Sequence, residues 1–378
     1  MAKHVAPLLR RFPDMTFAFA YGSGVMHQPG LYSSHTLQAH ARSSTLEMPM
    51  TDLIFVVEDA RSWHRKNISV NPDHYSWLFR SKYGHHMVCD LAESVGVGVH
   101  FNALVQVNDQ VIKYGVIEVQ HLIQDLEDWR SLYIGGRMQK PVMTLLENSK
   151  VQKALARNLK SALTAALLLL PEKFSIESLL KSICSLSYNG DIRVGLAEDP
   201  MKIGRIVEGS REGLEAMYLP MLLGKDCCVL KDEALGTNND ISSHKLVQGH
   251  AQDDKEETSL PFPGVVVQAS EGFLQQDMSQ QARLELLRQL PVCILHGMSR
   301  RLGFDVPENH LIMDETREHV LIMATASGRH TELLSASIKA IVRSSSMVQA
   351  ISGAMASDGG KAIRYMISKL RKAGWLQR

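Results

Sequence analysis

A short apolar strand that runs directly into Gly22-Ser23-Gly24 is the feature that most constrains this chain. The predicted strand covers residues 17–21, and the two glycines permit a tight turn. Short glycine motifs are common, so the segment can be no more than a turn. The same geometry lets a backbone approach a phosphate closely, with successive N–H groups and the Ser23 hydroxyl as donors. Both interpretations stand for the turn taken alone.

An acidic residue opens the next predicted strand, which follows a polar segment rich in Ser and His. Alternation along this strand puts every second side chain on the same face, with Leu53, Phe55 and Val57 on one face and Asp52, Ile54 and Val56 on the other. An unpaired charge on an otherwise apolar strand is costly. Asp52 is therefore either an exposed residue at the strand end or a metal ligand, and the glycine turn before it favours the metal.

Composition excludes several classes of protein. With 378 residues, 45% of them hydrophobic and 21% charged, the chain is long enough for two or three domains. A formal net charge of +1 argues against nucleic-acid binding by bulk charge. The most continuous apolar stretch, residues 162–170, is about half as long as the ~20 residues that a spanning helix needs. Five scattered cysteines predict neither a disulfide framework nor a structural zinc site.

Periodicity and turn residues divide the chain into three regions with an α+β pattern overall. Region 1–146 alternates helices with strands, region 147–340 is mainly helical with a polar insertion at 225–258, and region 341–378 ends in a basic helix. The predicted strands are 17–21, 52–57, 98–107 and 111–119, the last two forming a hairpin around Asn108-Asp109. The predicted helices are 60–79 with a break near Asn71-Pro72, 122–129, 151–170, one capped by Ser175 that runs to 186, and several within 281–351.

The strand, the glycine turn and Asp52 together resemble the nucleotidyltransferase fold of the DNA polymerase β superfamily, in which a Gly-Ser motif follows the first strand and acids on the adjacent strand bind metal ions. A closer resemblance rests on motifs spread over nearly the whole chain. They are Phe19-Ala20-Tyr21-Gly22-Ser23-Gly24-Val25, Asp52-Leu53-Ile54-Phe55, Trp63-His64, His74-Tyr75-Ser76, Lys113-Tyr114-Gly115-Val116, Gly136-Arg137, Gln139-Lys140-Pro141, Tyr188-Asn189-Gly190-Asp191-Ile192-Arg193 and Ile341-Val342-Arg343-Ser344-Ser345-Ser346. By these motifs the chain resembles the family of mitochondrial phosphatidate cytidylyltransferases, also called the translocator assembly and maintenance family.

The resemblance implies a fold, a reaction and a set of site residues. The fold is a polymerase-β-like nucleotidyltransferase domain, then a winged-helix-like domain, then a C-terminal amphipathic helix. The reaction joins CTP to phosphatidic acid with Mg²⁺ as cofactor, gives CDP-diacylglycerol and pyrophosphate, and feeds cardiolipin and phosphatidylglycerol synthesis. The implied catalytic residues are Asp52, also the metal ligand, and Lys113; those implied for CTP or phosphate binding are Gly22, Ser23, Gly24, Tyr114, Arg137, Lys140, Asp191 and Arg193. The implied location is the matrix face of the mitochondrial inner membrane, as a peripheral protein.

Two of these residues have alternative interpretations. Lys113 lies in an apolar strand, where a lysine can simply extend its stem along the surface. Asp191 can cap a helix or pair with Arg193 instead of contacting substrate. The metal site also lacks an acid, because the superfamily pattern has two acids two residues apart and apolar residues flank Asp52 at that spacing. Either another segment supplies a ligand, or the site uses substrate phosphates and water.

The C-terminal stretch predicts a helix that docks on a membrane. Residues 361–378 contain six basic residues and no acid. At 100° per residue the apolar side chains fall on one arc and most of the basic ones lie across from them, as in helices that lie on anionic membranes. The alternative is a terminal helix packed on the protein with a solvated basic face. The residues assigned to docking are Arg364, Ile367, Leu370, Arg371, Lys372 and Trp375.

Two other functions compete with this enzyme. One is a non-catalytic assembly factor for mitochondrial protein import, and the other is a nucleotidyltransferase that acts on RNA. The intact glycine turn and Asp52 favour an enzyme over an assembly factor. An RNA substrate predicts a broad basic groove, and the balanced charge favours no nucleic-acid partner. The sequence specifies no oligomeric state.

Overall fold

The structure of the protein is a computed structural model that describes residues 6–25, 50–108, 110–193, 201–223, 265–268, 273–304 and 314–356. Over these residues the chain has an α+β fold with two sheets. The strands are β1 (Phe17–Tyr21), β2 (Thr51–Val57), β3 (Val99–Val107), β4 (Gln110–Glu118), β5 (Met143–Leu146), β6 (Lys173–Ser175), β7 (Val265–Gln268) and β8 (Phe273–Gln276). The described part of the chain contains no helix that is long and apolar enough to cross a bilayer.

The helices make up most of the second region. They are α1 (Ala60–Val70), α2 (Gly84–Asp90), α3 (Val119–Glu127), α4 (Gly135–Met138), α5 (Ser149–Leu169), α6 (Ile176–Ser185), α7 (Lys202–Gly209), α8 (Arg211–Leu223), α9 (Gln280–Arg288), α10 (Val292–Arg301), α11 (Asp314–Ala326) and α12 (His330–Ala356). Short 3₁₀ helices precede β1 at Ala6–Arg11 and follow α1 at Pro72–His74 and Trp77–Phe79. The predicted break near Asn71-Pro72 is thereby confirmed.

The first region forms a five-stranded sheet in the order β3-β4-β2-β1-β5. β2 pairs in parallel with β4 and antiparallel with β1, and β3 pairs antiparallel with β4. The predicted strands at 17–21 and 52–57 and the predicted hairpin are confirmed, and Asn108 adopts a φ of 51° at the hairpin turn. The sequence did not predict β5, a four-residue strand at the edge of the sheet.

The two faces of this sheet are both covered, which explains why β2 is almost continuously apolar. Leu53 and Phe55 pack on one face against the N-terminal 3₁₀ helix and Trp63 of α1. Ile54 and Val56 pack on the opposite face against α3 and the first turns of α5. The predicted alternation of faces along β2 is confirmed, and it places Asp52 on the α3 side at the start of the strand.

The second region has a separate hydrophobic core, formed mainly by α5, α6 and α8 to α12. The side chain of Asn148 caps α5 by accepting N–H groups from Lys150 and Val151, and α5 ends just before Pro171. The predicted cap of the next helix is confirmed, because Ser175 Oγ accepts the N–H of Ser178 at 3.1 Å. A three-stranded antiparallel sheet in the order β6-β8-β7 was not predicted; its strands are only three or four residues long.

Some predicted boundaries differ from the structure. Helix α3 begins at Val119, three residues earlier than predicted, directly after β4. Helix α12 is continuous from His330 to Ala356, so the region boundary predicted after residue 340 falls inside a helix. The predicted insertion at 225–258 and the docking helix at 361–378 lie outside the described residues.

Candidate anion-binding site

One charged row crosses the sheet on the α3 side. Tyr21 at the end of β1 pairs in register with Asp52 of β2, and Asp52 pairs with Lys113 of β4. Lys113 Nζ lies 3.6 Å from Asp52 Oδ1, and the side chains are 14% and 25% exposed, respectively. The two charges are thus held next to each other where water still has access.

The glycine turn lies beside the carboxylate of this row. Gly22 adopts a φ of +78°, in the left-handed region that favours glycine, and a Cβ added there would lie 3.6 Å from Asp52 Oδ2. At Gly24 a Cβ would come within 2.8 Å of the Met50 carbonyl oxygen, so the turn packs closely on the start of β2. The structure therefore brings the predicted phosphate-binding turn and Asp52 together.

Lys113 does not simply extend along the strand surface. Its ammonium group faces Asp52 and also lies 4.5 Å from the centre of the Phe101 ring of β3. Gly115 makes room for that ring, because a Cβ there would come within 2.6 Å of Phe101 Cε1. An aromatic face on one side and a carboxylate on the other hold the cation in this row.

Arg137 reaches the row from α4, which forms one helical turn. Its guanidinium lies 4.0 Å from the centre of the Tyr133 ring and 5.4 Å from that of Tyr21, and it donates to the Tyr133 carbonyl. Burial opposes the charge, but the facing tyrosines outweigh this effect and keep the pKa of Arg137 above its ordinary value. Arg137 is therefore a permanent cation beside Tyr21 and the Asp52 row.

A buried carboxylate holds the segment that positions Arg137. Asp125, near the end of α3, accepts four backbone N–H groups at 2.7–2.9 Å, from Ser131, Leu132, Ile134 and Gly135. It also accepts the hydroxyl of Ser131 at 2.7 Å. These five bonds fix the path of the chain into α4. Asp125 was not predictable as a site residue, because a single acid in an amphipathic helix gives no signal in the sequence.

A second group of cations surrounds an aromatic ring from the second region. Lys140 Nζ donates to Ser187 Oγ at 2.9 Å and lies 5.2 Å from the centre of the Tyr188 ring. Lys202, at the start of α7, lies 5.0 Å from the centre of the same ring. Burial lowers the pKa of Lys140, and the positive charges of Arg137 and Lys202 lower it further, while Tyr188 opposes the shift. The protein thus keeps like charges together despite their repulsion.

Arg193 brings a further cation to this group. Its guanidinium makes two bonds to the Asp191 carboxylate, at 2.9 and 2.5 Å, and Asp191 also accepts the Arg193 backbone N–H. The pairing alternative for Asp191 is therefore confirmed. Arg193 lies near enough to Arg137 for its charge to oppose protonation of that residue. Asp191 is nearly fully buried, so its role is to orient Arg193.

Tyr114, which the resemblance assigned to CTP or phosphate binding, lies away from this group. Its side chain is fully buried on the opposite face of the sheet, packed against Phe12, Phe55 and Trp63. Its hydroxyl accepts a hydrogen bond from Asn67 at 2.9 Å. Because strand neighbours point to opposite faces, Lys113 and Tyr114 cannot both face the site. Conversely, Lys202 was not predicted as a site residue, because a single lysine at the start of a short helix carries no signal in the sequence.

The donor set around Asp52 suits a magnesium ion only in part. Within the described residues, no group of three or more His, Cys, Asp or Glu side chains is arranged to hold a metal. Asp52 Oδ2 faces Gly22 and Oδ1 faces Lys113. Magnesium in nucleotide sites is commonly held by one or two carboxylates together with phosphates and water. A magnesium ion at Asp52 would therefore need substrate phosphates and water to complete its coordination.

The fold and the site define an α+β protein in which Lys113 faces the half-buried carboxylate of Asp52. Arg137 lies near Tyr21 of the same row and near further cations, Lys140, Arg193 and, through the Tyr188 ring, Lys202. This arrangement suits an anionic ligand. A family profile described as "Phosphatidate cytidylyltransferase, mitochondrial" matches residues 5–372. The chain belongs to this family.

Curated relatives agree with the family profile over nearly the whole chain. A protein of that name from Drosophila melanogaster is 34% identical over 372 residues, which cover 96% of each chain. The Danio rerio protein is 32% identical over 373 residues, covering 97% of this chain and 94% of its own. The Homo sapiens protein is 32% identical over 376 residues, covering 98% of this chain and 71% of its own.

Proposed function

We propose that this protein is a phosphatidate cytidylyltransferase, which transfers the cytidylyl group of CTP to phosphatidic acid. The product is CDP-diacylglycerol, a precursor for cardiolipin and phosphatidylglycerol, and pyrophosphate is released. The observation that carries the proposal is the contact between the Gly22 turn and Asp52, with Lys113 in the same row. Family membership supports the same reaction.

The architecture supports a polymerase-β-like nucleotidyltransferase domain followed by a winged-helix-like domain. In the first region, the glycine turn follows β1 and the carboxylate lies on the neighbouring β2. In the second, the order α5, β6, α6, α7, α8, β7, β8 places helices before a terminal hairpin that pairs with β6. A winged helix has the order α, β, α, α, β, β, and this region has one helix more between β6 and β7.

The reaction asks the protein to position charges more than to form covalent bonds. A phosphate oxygen of phosphatidic acid attacks the α-phosphorus of CTP, and the bond from that phosphorus to the bridging oxygen of pyrophosphate breaks. We assign Lys113 and Arg137 to the stabilisation of negative charge on the α-phosphoryl oxygens, because both cations belong to the Asp52 row. When bound at Asp52, magnesium supplies further positive charge to the phosphates.

The cations around Tyr188 are assigned to the far end of the triphosphate. Lys140 and Lys202 both contact the Tyr188 ring of the second region. The positive charges of Lys202 and Arg137 both act against the charge of Lys140. A pyrophosphate group provides the negative charge that would relieve their repulsion. Arg193, oriented by Asp191, adds to the same set. The nucleotide would thus be bound between the two regions.

The substrate lipid determines where the enzyme works. Phosphatidic acid stays in a bilayer, and the relatives' names include the word mitochondrial. We therefore place the protein peripherally on the matrix face of the mitochondrial inner membrane. The basic stretch at 361–378, with Arg364, Ile367, Leu370, Arg371, Lys372 and Trp375, is proposed to bind the anionic surface.

The test is turnover of the purified protein with CTP, magnesium and vesicles that contain phosphatidic acid. We expect one pyrophosphate released per lipid-linked CDP, with CTP preferred over ATP, GTP and UTP. Replacing the vesicles by an RNA oligonucleotide should yield no extended product. Absence of both products with every lipid composition would instead favour the import assembly factor.

A further inference from the structure

We propose that an exposed apolar segment at residues 77–87 is a second membrane-docking surface, which inserts into the headgroup region of an anionic bilayer. This surface, called here the 77–87 surface, is distinct from the predicted C-terminal helix. The inference rests on the proposed function in one respect, because a lipid substrate requires the enzyme to lie on a bilayer. Its evidence is the placement of Trp77, Leu78, Tyr83 and Met87.

Four large apolar side chains of this segment are exposed. Trp77 is 73% exposed and Tyr83 is 67% exposed, and Leu78 and Met87 are 42% and 39% exposed. Tyr83 and Met87 are four residues apart at the start of α2, so they lie on the same side of that helix. Scattered exposed apolar residues are normal, but four within eleven residues are a concentration that calls for a partner.

The segment is held rigidly from beneath. Phe79 and Val88 are buried in a small cluster with Tyr75 and Leu91. The chain folds back so closely at Gly84 that an added Cβ would lie 1.7 Å from the Phe79 carbonyl oxygen. Trp77 and Tyr83 are therefore presented by an anchored scaffold, which reduces the entropy lost when they insert into a membrane.

Charge around the segment matches an anionic surface. Residues 60–90 contain five Lys or Arg residues and two acids, Asp73 and Asp90, which pair with Arg80 and Arg61 and leave three cations in excess. Lys82 is exposed next to Tyr83, and Arg65 and Lys66 of α1 are exposed as well. Tryptophan and tyrosine favour the membrane–water interface, and nearby cations bind anionic headgroups. Exposed aromatic residues beside an excess of cations favour an anionic bilayer as the occupant.

The end of α12 supplies a second apolar stripe at the same cluster. Ala356 packs against the cluster that anchors the 77–87 surface. Met347, Ile351 and Met355 are each about half exposed and four residues apart, so they line one side of α12. After Glu332 the helix carries no acid. The basic residues of 361–378 begin five residues beyond Ala356, so the chain leads from this surface into the predicted docking helix.

Depth-dependent fluorescence quenching tests the proposal directly. The chain has four tryptophans; Trp63 and Trp129 are buried, and Trp375 is removed by Trp375→Phe. We expect brominated phosphatidylcholine in vesicles with phosphatidic acid to quench the Trp375→Phe protein, and the added Trp77→Phe change to abolish this quenching. Equal quenching of both variants, or none in the Trp375→Phe protein, would overturn the proposal.

A flotation assay with the full-length chain provides the second measurement. The double variant Trp77→Ala, Tyr83→Ala should bind these vesicles about tenfold less tightly, equivalent to about 1.4 kcal/mol. The matched control is Ile322→Ala, an exposed apolar residue of α11, which should bind as the wild type does. Loss of self-association in the double variant with unchanged flotation would show a protein interface and contradict the proposal.

Turnover of short-chain phosphatidic acid below its micellar concentration separates this proposal from the proposed function. The double variant should turn over this soluble substrate at the wild-type rate, because the 77–87 surface does not touch the site. If the wild-type protein shows no turnover, the proposed function fails, while quenching still decides the docking. Shielding of Trp77 from iodide before vesicles are added would mean that another segment of the chain covers the surface, which also overturns the proposal.

Discussion

Lys113 and Asp52 occupy paired positions on two parallel inner strands, with Nζ 3.6 Å from Oδ1 and the glycine turn beside the carboxylate. Parallel pairing in the sheet interior is usually apolar, so an ion pair here is a departure that calls for a function. The pair keeps a cation and a carboxylate ready at one place. A nucleoside triphosphate needs the cation, and its metal ion needs the carboxylate.

Replacement of this lysine tests its role in the reaction. We expect Lys113→Met to lower kcat by about 10²–10³, since a charge-stabilising donor is lost in the transition state. Lys113→Arg, which retains the charge, should recover part of the rate. Steady-state turnover with CTP and phosphatidic acid measures both. A Lys113→Met protein with wild-type kcat would restore the alternative of a lysine that serves only the strand surface.

Asp125 tests whether the Arg137 segment is preorganised. Asp125→Asn removes a charged acceptor of five hydrogen bonds, so the free energy of unfolding should fall by about 2–3 kcal/mol in urea titrations. Turnover should fall as well, because Arg137 loses its position. The control is Glu127→Gln on the same helix, which breaks an exposed ion pair with Arg157 and should cost less than about 1 kcal/mol. Equal effects of both changes would contradict this role.

Lys202 tests the assignment of the far end of the triphosphate. Lys202→Ala should weaken CTP binding about tenfold, or about 1.4 kcal/mol, in calorimetric titrations. Binding of CMP, which lacks the β- and γ-phosphates, should not change. Lys173→Ala removes a similar lysine–aromatic contact, with Phe273, away from the site and serves as the matched control. A parallel loss of CTP and CMP binding would place Lys202 elsewhere on the nucleotide.

Two buried histidines predict loss of stability in acid. Burial lowers the pKa of His100 to about 4, although Asn102 opposes the shift, and burial followed by the charge of His100 lowers the pKa of His64. Because both folded-state pKa values lie below the unfolded value of 6.5, the unfolded chain binds more protons as pH falls below 6.5. The stability that these neutral histidines contribute is complete above pH 6.5 and is lost as pH falls below it, and for His100 the loss extends to about pH 4.

Urea titrations at pH 8 and pH 5 measure this effect. His100→Gln should lower stability at pH 8 but reduce the difference between the two pH values, since one titrating group is removed. His121→Gln serves as a control on α3. An undiminished pH difference in His100→Gln would show that other groups cause the loss.

Some parts of the site were predictable from the sequence and others were not, for reasons that particular residues show. The contact between the Gly22 turn and Asp52 was predictable because both lie at the ends of short, strongly apolar strands. Tyr114 was assigned by a different route, from a motif of consecutive residues, whereas a strand sends neighbouring side chains to opposite faces. Lys202 contacts Tyr188, which is 14 positions away, and Asp125 accepts hydrogen bonds from residues 6–10 positions away. No local sequence pattern encodes these contacts. The strands β5 to β8 were too short to give a periodic signal.

The most direct test of the central claim is transfer of an α-phosphate label from CTP to vesicle phosphatidic acid by the Asp52→Asn protein. The control is Glu58→Gln, an exposed acid just beyond the other end of β2. We predict that Asp52→Asn remains folded and loses at least about 10²-fold in kcat, whereas Glu58→Gln retains wild-type transfer. Full label transfer by a folded Asp52→Asn protein would contradict the account.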